Sequence, residues 1–150
     1  MYVFSLNMEQ QAGWTNGKVV SDATITVETH YLSGADPSNT ANLIWFRASQ
    51  YSGYILVVFG DGSYAILNET GGDYEEIVAT RYHDSVHNYW NQPNLWRIVM
   101  NGSKFRIYCN NSKVAEFTNS RHSYGSVYLG GFSLSGNRGI VAFDNLRIKE

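Results

Sequence analysis

An alternation of apolar and polar residues with a period of two recurs along most of this 150-residue chain. It is typical of strands with one buried face, whereas the spacing of three to four residues that marks an amphipathic helix is nearly absent. The segments with this alternation, or with a short continuous apolar run, are residues 19–32, 41–49, 53–60, 63–68, 76–83, 95–101, 104–110, 113–118, 126–133 and 139–148. The pattern predicts an all-β protein built as a sandwich or a barrel.

Short turn signals separate these segments. Asp-Gly at 61–62, Asn-Gly at 101–102 and Asn-Asn at 110–111 tolerate the positive φ of a tight hairpin. We therefore expect the strands from Leu95 onward to follow one another as a meander of hairpins. No linker, repeat or low-complexity tract interrupts the chain, so residues 1–150 are expected to form one domain.

Composition narrows the classes of partner. Eleven basic and thirteen acidic residues give a net charge of −2, which predicts no concentrated basic surface for nucleic acid. The eleven tyrosines exceed what a core requires and are typical of recognition surfaces. Cys109 is the single cysteine, so no disulfide can form within the chain. Residues 1–14 have neither a basic region nor a long apolar run, so we expect no signal peptide and no membrane insertion.

The order of the strand motifs resembles that of a known superfamily. The motifs are, in order, ANLIWFRAS (41–49), YILVVFGDGSYAIL (54–67), NLWRIVMNGSKFRIYCNNSKVAEF (94–117), YGSVYLGGF (124–132) and a closing VAFDNLRI (141–148). Together they resemble the concanavalin A-like lectin/glucanase superfamily. Within it, they are most similar to laminin-G-like, non-catalytic domains found beside glycoside hydrolases and on bacterial surface proteins. The resemblance implies a jelly-roll sandwich of two antiparallel sheets, one of them concave.

The resemblance also implies a function. Many members bind carbohydrate, so we expect a non-catalytic, lectin-like module with a glycan or polysaccharide ligand. Such a module would be tethered to other domains of an extracellular or cell-surface protein. The alternative is a protein-interaction or structural domain of a surface protein. Catalytic members carry two Glu and an Asp on one strand; the acidic run at 73–76 follows a Gly-Gly turn and lacks that arrangement. We therefore expect no enzyme activity.

The stretch HNYWNQPNLW (87–96) contains the first candidate ligand site. It places Tyr89 and Trp90 in an apparent loop among amide side chains. One interpretation is that an aromatic covers the open end of the core. The other is that Trp90, with Tyr89, stacks on a sugar ring while Asn88 and Asn91 hydrogen-bond to its hydroxyls.

Strand alternation adds further candidates. Trp45 and Arg47 share one face of the predicted strand 41–49. Because an unpaired buried guanidinium is very costly, both are expected on an outer or concave surface, where they could contact a ligand. A solvated charge or an ion pair is the other interpretation of Arg47. Tyr82 is a weaker candidate for ligand contact.

The same alternation predicts which residues form the core. In KFRIYC, Arg106 and Tyr108 should face solvent, because they lie on the opposite face from their neighbours. The residues predicted to be buried are Tyr54, Tyr64, Trp96, Phe105 and Ile107.

One carboxylate sits in an otherwise apolar segment. Asp144 lies within VAFDNLRI, where it could accept backbone N–H groups, be exposed, or bind calcium together with Asp22 and backbone carbonyls. Calcium takes six or more oxygen ligands, and these two carboxylates are the visible candidates. No other cofactor is expected.

Overall fold

The computed structural model describes residues 1–7, 11–34, 36–88, 92–133 and 138–150. These residues form twelve strands and a short 3-10 helix, Pro37–Asn39. The strands are β1 (Tyr2–Asn7), β2 (Gln11–Val20), β3 (Ala23–Gly34), β4 (Thr40–Ser49), β5 (Ser52–Phe59), β6 (Tyr64–Thr70), β7 (Asp73–Arg81), β8 (Asn94–Asn101), β9 (Lys104–Cys109), β10 (Ser112–Thr118), β11 (Gly125–Ser133) and β12 (Arg138–Lys149). Within the described ranges, no helix has the length and apolarity needed to cross a membrane.

The strands form two antiparallel sheets of six strands each. Sheet 1 has the order β1-β12-β3-β8-β9-β10, and sheet 2 has the order β2-β11-β4-β5-β6-β7. In sheet 1 the strands β8, β9 and β10 are joined by hairpins, as the turn signals predict. The predicted meander ends there, because β11 crosses to sheet 2 and pairs with β2 and β4. Strands β1 and β2 were not among the predicted segments.

The main core lies between the two sheets. The alternation of β3, β8 and β9 buries every second side chain, so that apolar residues from both sheets meet in one layer. The predicted core residues are confirmed: each has no exposed surface, whereas Arg106 is exposed and Tyr108 is half-buried. The largest fully buried side chains of this layer are Trp96, Tyr54, Tyr64, Phe46 and Phe105.

Sheet 2 is apolar on its outer face as well. Strands β4, β5 and β6 lie in its centre and are nearly continuously apolar, so their alternate residues form a second cluster that faces away from the main core. We call this surface the groove face. It is lined by Ala41, Leu43, Trp45, Ile55, Val57, Phe59, Ala65, Leu67 and Phe132.

Candidate functional site

The groove face has two parts that differ in chemistry. A hollow of about 320 Å³ crosses β4, β5 and β6, and its walls are almost entirely aliphatic or aromatic carbon. We call it the aliphatic hollow; it is lined by Leu43, Ile55, Val57, Phe59, Ala65, Leu67 and Phe132, with Glu76 and Thr80 at its β7 side. A second hollow of about 550 Å³ adjoins it and shares Trp45 and Tyr74.

The second hollow, which we call the aromatic end, is lined by aromatic and polar side chains. Trp45 on β4 lies opposite Tyr128 on β11 in the strand register, so the two side chains are neighbours on the groove face. Tyr51 and Tyr74 stand at the turn ends of β5 and β7, with 66% and 54% of their surfaces exposed. The polar residues of this hollow are Ser49, Gln50 and Glu69.

Glu69 is the acid of the aromatic end. It follows Ala65 and Leu67 on the outward positions of β6, and it is opposite Tyr74 in the register with β7. Only 7% of its surface is exposed, although it lines the hollow. Among the described residues, none donates a hydrogen bond to the Glu69 carboxylate or forms an ion pair with it. Its carboxylate oxygens can therefore accept hydrogen bonds from a ligand in the hollow.

The structure places Trp45 as predicted and Arg47 differently. Trp45 is half-buried on the groove face. Arg47 is only 3% exposed, so the predicted outer position is wrong. The cause is a β-bulge in β4. Trp45 pairs with Tyr128 and Ala48 pairs with Ser126, so β4 advances three residues between these pairs where β11 advances two. Arg47 adopts a φ of 47°, and the extra residue inverts the faces beyond it, so its side chain enters the sandwich.

Inside the sandwich, each of the three nitrogen atoms of the Arg47 guanidinium donates a hydrogen bond. It lies 4.8 Å from the centre of the Phe105 ring. It donates to the carbonyl oxygens of Ser21 (3.1 Å) and His122 (3.1 Å), and to the Asp22 carboxylate (3.2 Å). Burial lowers the pKa of Arg47, and the Asp22 charge opposes that shift. Arg47 therefore joins the two sheets and two loops.

Tyr82 and Asn88 lie at the other end of sheet 2. Both are exposed, and the Tyr82 hydroxyl donates to the Asp61 carboxylate at 3.0 Å, in the turn between β5 and β6. That bond raises the pKa of Tyr82. Ile55 is the cross-strand partner of Trp45, and Asp61 follows Ile55 by six residues on the same strand and its turn. Six residues of extended strand span about 20 Å. The structure thus separates these candidates from Trp45.

Three further candidates, Tyr89, Trp90 and Asn91, lie outside the described residues. Their ligand contacts stay a prediction. The neighbouring Asn94 is described and anchors the carboxyl end of this stretch: its side-chain oxygen accepts from the His87 backbone N–H at 2.7 Å, and its side-chain nitrogen donates to the His87 carbonyl at 3.0 Å.

The predicted calcium pair is not assembled. Asp144 is opposite Glu28 on β3, while Asp22 precedes β3 by one residue, so the two carboxylates are separated by about 20 Å of strand. Asp22 accepts the Gly102 backbone N–H at 2.8 Å as well as Arg47. Asp144 accepts the backbone N–H of Asn145 at 2.9 Å, which is one of the roles expected for it. The described ranges contain no group of three or more potential metal-ligating side chains.

His122 lies behind the aromatic end, on the core side of β6. Its Nε2 is 2.7 Å from the Asn68 Oδ1, and its backbone N–H donates to the Tyr54 hydroxyl at 3.2 Å. Burial is the main cause that lowers the pKa of His122. The folded protein therefore binds a proton at this ring less readily than the unfolded chain does.

We expect His122 to make stability depend on pH. Its folded pKa is below the ordinary value of about 6.5, so its contribution is intact above that value and is lost as the pH falls through it. Urea melts of His122→Gln from about pH 7.5 to about pH 5.5 should show a shallower loss of unfolding free energy than the parent. His83→Gln, which replaces an exposed histidine, is the comparator that shows how much of any change is specific to the buried ring. An unchanged slope in His122→Gln would contradict this assignment.

Sequence reasoning missed most of the aromatic end. Tyr51, Tyr74, Tyr128 and Glu69 come from separate strands and turns, and only the pairing of β11 with β4 and of β6 with β7 brings them together. The tyrosine content of the chain was the one signal that pointed to a recognition surface.

Comparison with known proteins identifies the fold. No protein-family model and no curated protein sequence matches the chain significantly. Among solved structures, carbohydrate binding module CBM66 from Bacillus subtilis matches with a TM-score of 0.80 and 15% identity, over 97% of this chain and 86% of that one. A tetrameric galectin from the sponge Cinachyrella matches with a TM-score of 0.63 and 9% identity, over 99% of both chains.

A Bacteroides ovatus mixed-linkage glucan GH16 protein, solved in complex with a product, matches with a TM-score of 0.65 and 8% identity, over 97% of this chain and 79% of that one. At these identities the likeness concerns the fold. The chain has the concanavalin A-like fold, a jelly-roll sandwich of two antiparallel sheets.

Proposed function

We propose that this chain is a non-catalytic carbohydrate-binding module and that its glycan ligand binds at the aromatic end of the groove face. The observation that carries the proposal is the set of four aromatic side chains, Trp45, Tyr51, Tyr74 and Tyr128, around the Glu69 carboxylate, which has no partner among the described residues.

The aromatic side chains suit the apolar faces of a sugar ring. A pyranose or furanose presents C–H groups on its ring faces, and a flat aromatic ring gives a large contact area with few rotatable bonds. Trp45 and Tyr128 are half-buried in the central strands, so their rings are held by packing. Tyr51 and Tyr74 are exposed at the rim, where they can close on a second ring.

The polar side chains of the aromatic end would orient the sugar by hydrogen bonds. The Glu69 carboxylate can accept two hydroxyl hydrogen bonds, and the Gln50 amide can both donate and accept. Each sugar hydroxyl exchanges a bond with water for a bond with protein, so the net gain per contact is small. We therefore expect one site to bind with a dissociation constant in the micromolar to millimolar range.

The fold neighbours support the proposal. They include a protein described as a carbohydrate binding module and several described as galectins. From the order of the sequence motifs we further infer a laminin-G-like domain of a larger extracellular or cell-surface protein, tethered there beside other domains.

A second candidate is a protein-interaction module. The aliphatic hollow favours it, because contiguous apolar surface of this kind marks protein contacts as well as ligand grooves. A sugar would find few hydrogen-bonding partners there. Under this alternative, the isolated domain binds no glycan at any concentration.

Catalysis is not part of the proposal. Glu69 and Glu76 are diagonal neighbours on β6 and β7, a relation that puts Cβ atoms roughly 7–8 Å apart. A glycosidase needs two carboxyl groups that flank one bond, but Glu69 lines the aromatic end and Glu76 the aliphatic hollow. We expect no reducing ends from any glycan that binds. A reducing-sugar assay checks this. If the parent releases reducing sugar and the Glu69→Gln variant does not, the expectation is contradicted.

A glycan array followed by calorimetry tests the proposal. With the best array ligand, Trp45→Ala and Glu69→Gln should each weaken binding at least about tenfold, because each removes a central contact. Tyr51→Ala should weaken it with an unchanged melting temperature, since most of the Tyr51 surface is exposed.

Two variants serve as comparators. Tyr82→Ala removes an equally exposed tyrosine at the far end of sheet 2 and should bind as the parent does. Trp90→Ala tests the loop site predicted from HNYWNQPNLW. If Trp90→Ala abolishes binding while Trp45→Ala does not, the ligand binds at that loop and the groove proposal is wrong.

A further inference from the structure

Positive charge is concentrated on the outer face of sheet 1. Of the eleven Lys and Arg residues, six are on outward positions of β8, β9, β10 and the carboxyl-terminal half of β12. We call this surface the basic face; its cations are Arg97, Lys104, Arg106, Lys113, Arg147 and Lys149. The whole-chain charge of −2 conceals this, because most of the acidic residues are on other parts of the surface.

The strand register arranges the cations in rows. One row crosses five strands from Arg147 through Thr26, Arg97 and Tyr108 to Lys113. With strands about 4.8 Å apart, its three cations are spaced about 10 Å from one another over a span of about 20 Å.

The next row is two residues further along each strand, except in β10, where a bulge makes the step three residues. It contains Lys149, Thr24, Val99, Arg106 and Glu116. Lys104 extends the face by one more row, at the register position opposite Asn101. Neighbouring cations on one strand, such as Lys104 and Arg106, are about 7 Å apart.

Acids offset part of this charge: Glu116 lies opposite Arg106, and Asp22 and Glu150 line the hollow beside Lys149, so the uncompensated charge is greatest along the row of Arg147, Arg97 and Lys113 and at Lys104. Lys113 pairs with Glu116, and both side chains are about half exposed. Glu28 and Asp144 face outward one row beyond the cations, opposite each other. The Arg97 guanidinium lies 4.1 Å from the centre of the Tyr108 ring, a contact that orients the charge without neutralising it. The other cations have no described ion pair.

We propose that the basic face binds an acidic polysaccharide, one that carries carboxylate or sulfate groups. Charge complementarity identifies the partner as a polyanion, and the flat extent of the face suits an extended polymer. The Thr24 and Thr26 hydroxyls between the cations can bond to sugar hydroxyls. Nucleic acid is less favoured, because the aromatic ring in these rows, Tyr108, is covered by Arg97 and offers no free stacking surface.

This site is on the opposite side of the sandwich from the groove face. It therefore does not depend on the proposed function: variants of Trp45 should leave it unchanged, and variants of the basic face should leave binding at the aromatic end unchanged.

Affinity electrophoresis of the intact chain in polygalacturonate, with neutral dextran as the control polymer, tests the proposal. We expect retardation by polygalacturonate alone. It should disappear when salt rises from about 0.1 M to about 1 M, which shortens the Debye length from about 10 Å to about 3 Å.

Matched charge reversals locate the site. Lys104→Glu, Arg106→Glu and Lys149→Glu combined should weaken polygalacturonate binding at least about tenfold. Arg81→Glu on β7, Arg121→Glu in the loop after β10 and Arg138→Glu at the far end of β12, combined, change the net charge equally at exposed positions away from these rows and should weaken it far less. Melting curves establish that both variants are folded.

Three results would overturn the proposal. The first is equal loss in both triple variants, which would mean that net charge alone drives binding. The second is equal retardation by dextran. The third is tighter binding to single-stranded DNA, or to vesicles of phosphatidylserine and phosphatidylcholine, than to polygalacturonate, which would assign the face to another class of partner.

Discussion

Trp96→Ala is expected to lower the free energy of unfolding by about 3–5 kcal/mol, the range for removing a large aromatic side chain from a core. Trp96 has no exposed surface, and it packs edge-on against Tyr64 with 5.8 Å between the ring centres. Its indole N–H donates to the Thr29 hydroxyl at 3.0 Å. Truncation leaves a cavity between the sheets and a buried hydroxyl without its donor.

Urea denaturation followed by circular dichroism measures this effect. Leu95→Ala is the matched control, because the adjacent side chain is on the outer face of β8 and is 40% exposed. Its effect should be within about 0.5 kcal/mol. A loss in Trp96→Ala no larger than that of Leu95→Ala would mean that Trp96 does not close the core.

Arg47→Ala is expected to lower the free energy of unfolding by about 2–4 kcal/mol. The substitution leaves the partly buried carbonyl oxygens of Ser21 and His122 without their donor, and a buried group left unpaired costs at most about 1–3 kcal/mol at such sites. It also removes the cation that covers the Phe105 ring. Arg47→Lys should fall between the parent and Arg47→Ala, because a single ammonium group cannot reproduce the guanidinium fork.

The same urea melts measure this loss, with Arg121→Ala as the control for removing an exposed arginine. The result also separates the two interpretations of Arg47 that the sequence left open. If Arg47 only connects the sheets inside the sandwich, Arg47→Ala lowers stability while the folded molecules keep nearly the same glycan affinity. A stable Arg47→Ala variant that has lost glycan binding would show that Arg47 contacts the ligand.

The sequence predicts the fold well where strands are regular. In β9, strict alternation assigns Phe105 and Ile107 to the core and Arg106 to solvent, because no bulge interrupts the pairing with β8. The same rule fails at Arg47, where one inserted residue inverts the faces. The bulge is accommodated by Gly125 of β11: a Cβ there would lie 2.3 Å from the Arg47 carbonyl carbon. A close approach between residues this far apart in the chain produces no local pattern in the sequence.

Strand β2 escaped prediction for a related reason. Gly13, Asn16 and Gly17 are residues that favour turns, and Gly17 does adopt a φ of 74°. The segment is nevertheless a strand, because β11 supplies backbone partners over most of its length. Long-range pairing outweighs local preference here.

The candidate site was predictable only in part. The alternation of β4 places Trp45 on the outer face, and the structure agrees. The neighbours of Trp45 follow from sheet order, which the local sequence does not encode: Tyr128 reaches it only because β11 inserts between β2 and β4. The basic face depends on sheet order in the same way, since Arg147 and Arg97 are brought into one row by β3.

The measurement that tests the groove site most directly is a ligand titration followed by two-dimensional NMR of the four tryptophan indole N–H groups. With the best glycan from the array, the Trp45 indole and the backbone amides of Tyr51 and Glu69 should shift progressively, and they should give one dissociation constant. The indole of Trp96, buried between the sheets, should stay unchanged. Shifts confined to the Trp90 indole, or to the amides of β8 and β9 with Trp45 unmoved, would contradict a glycan site at the aromatic end.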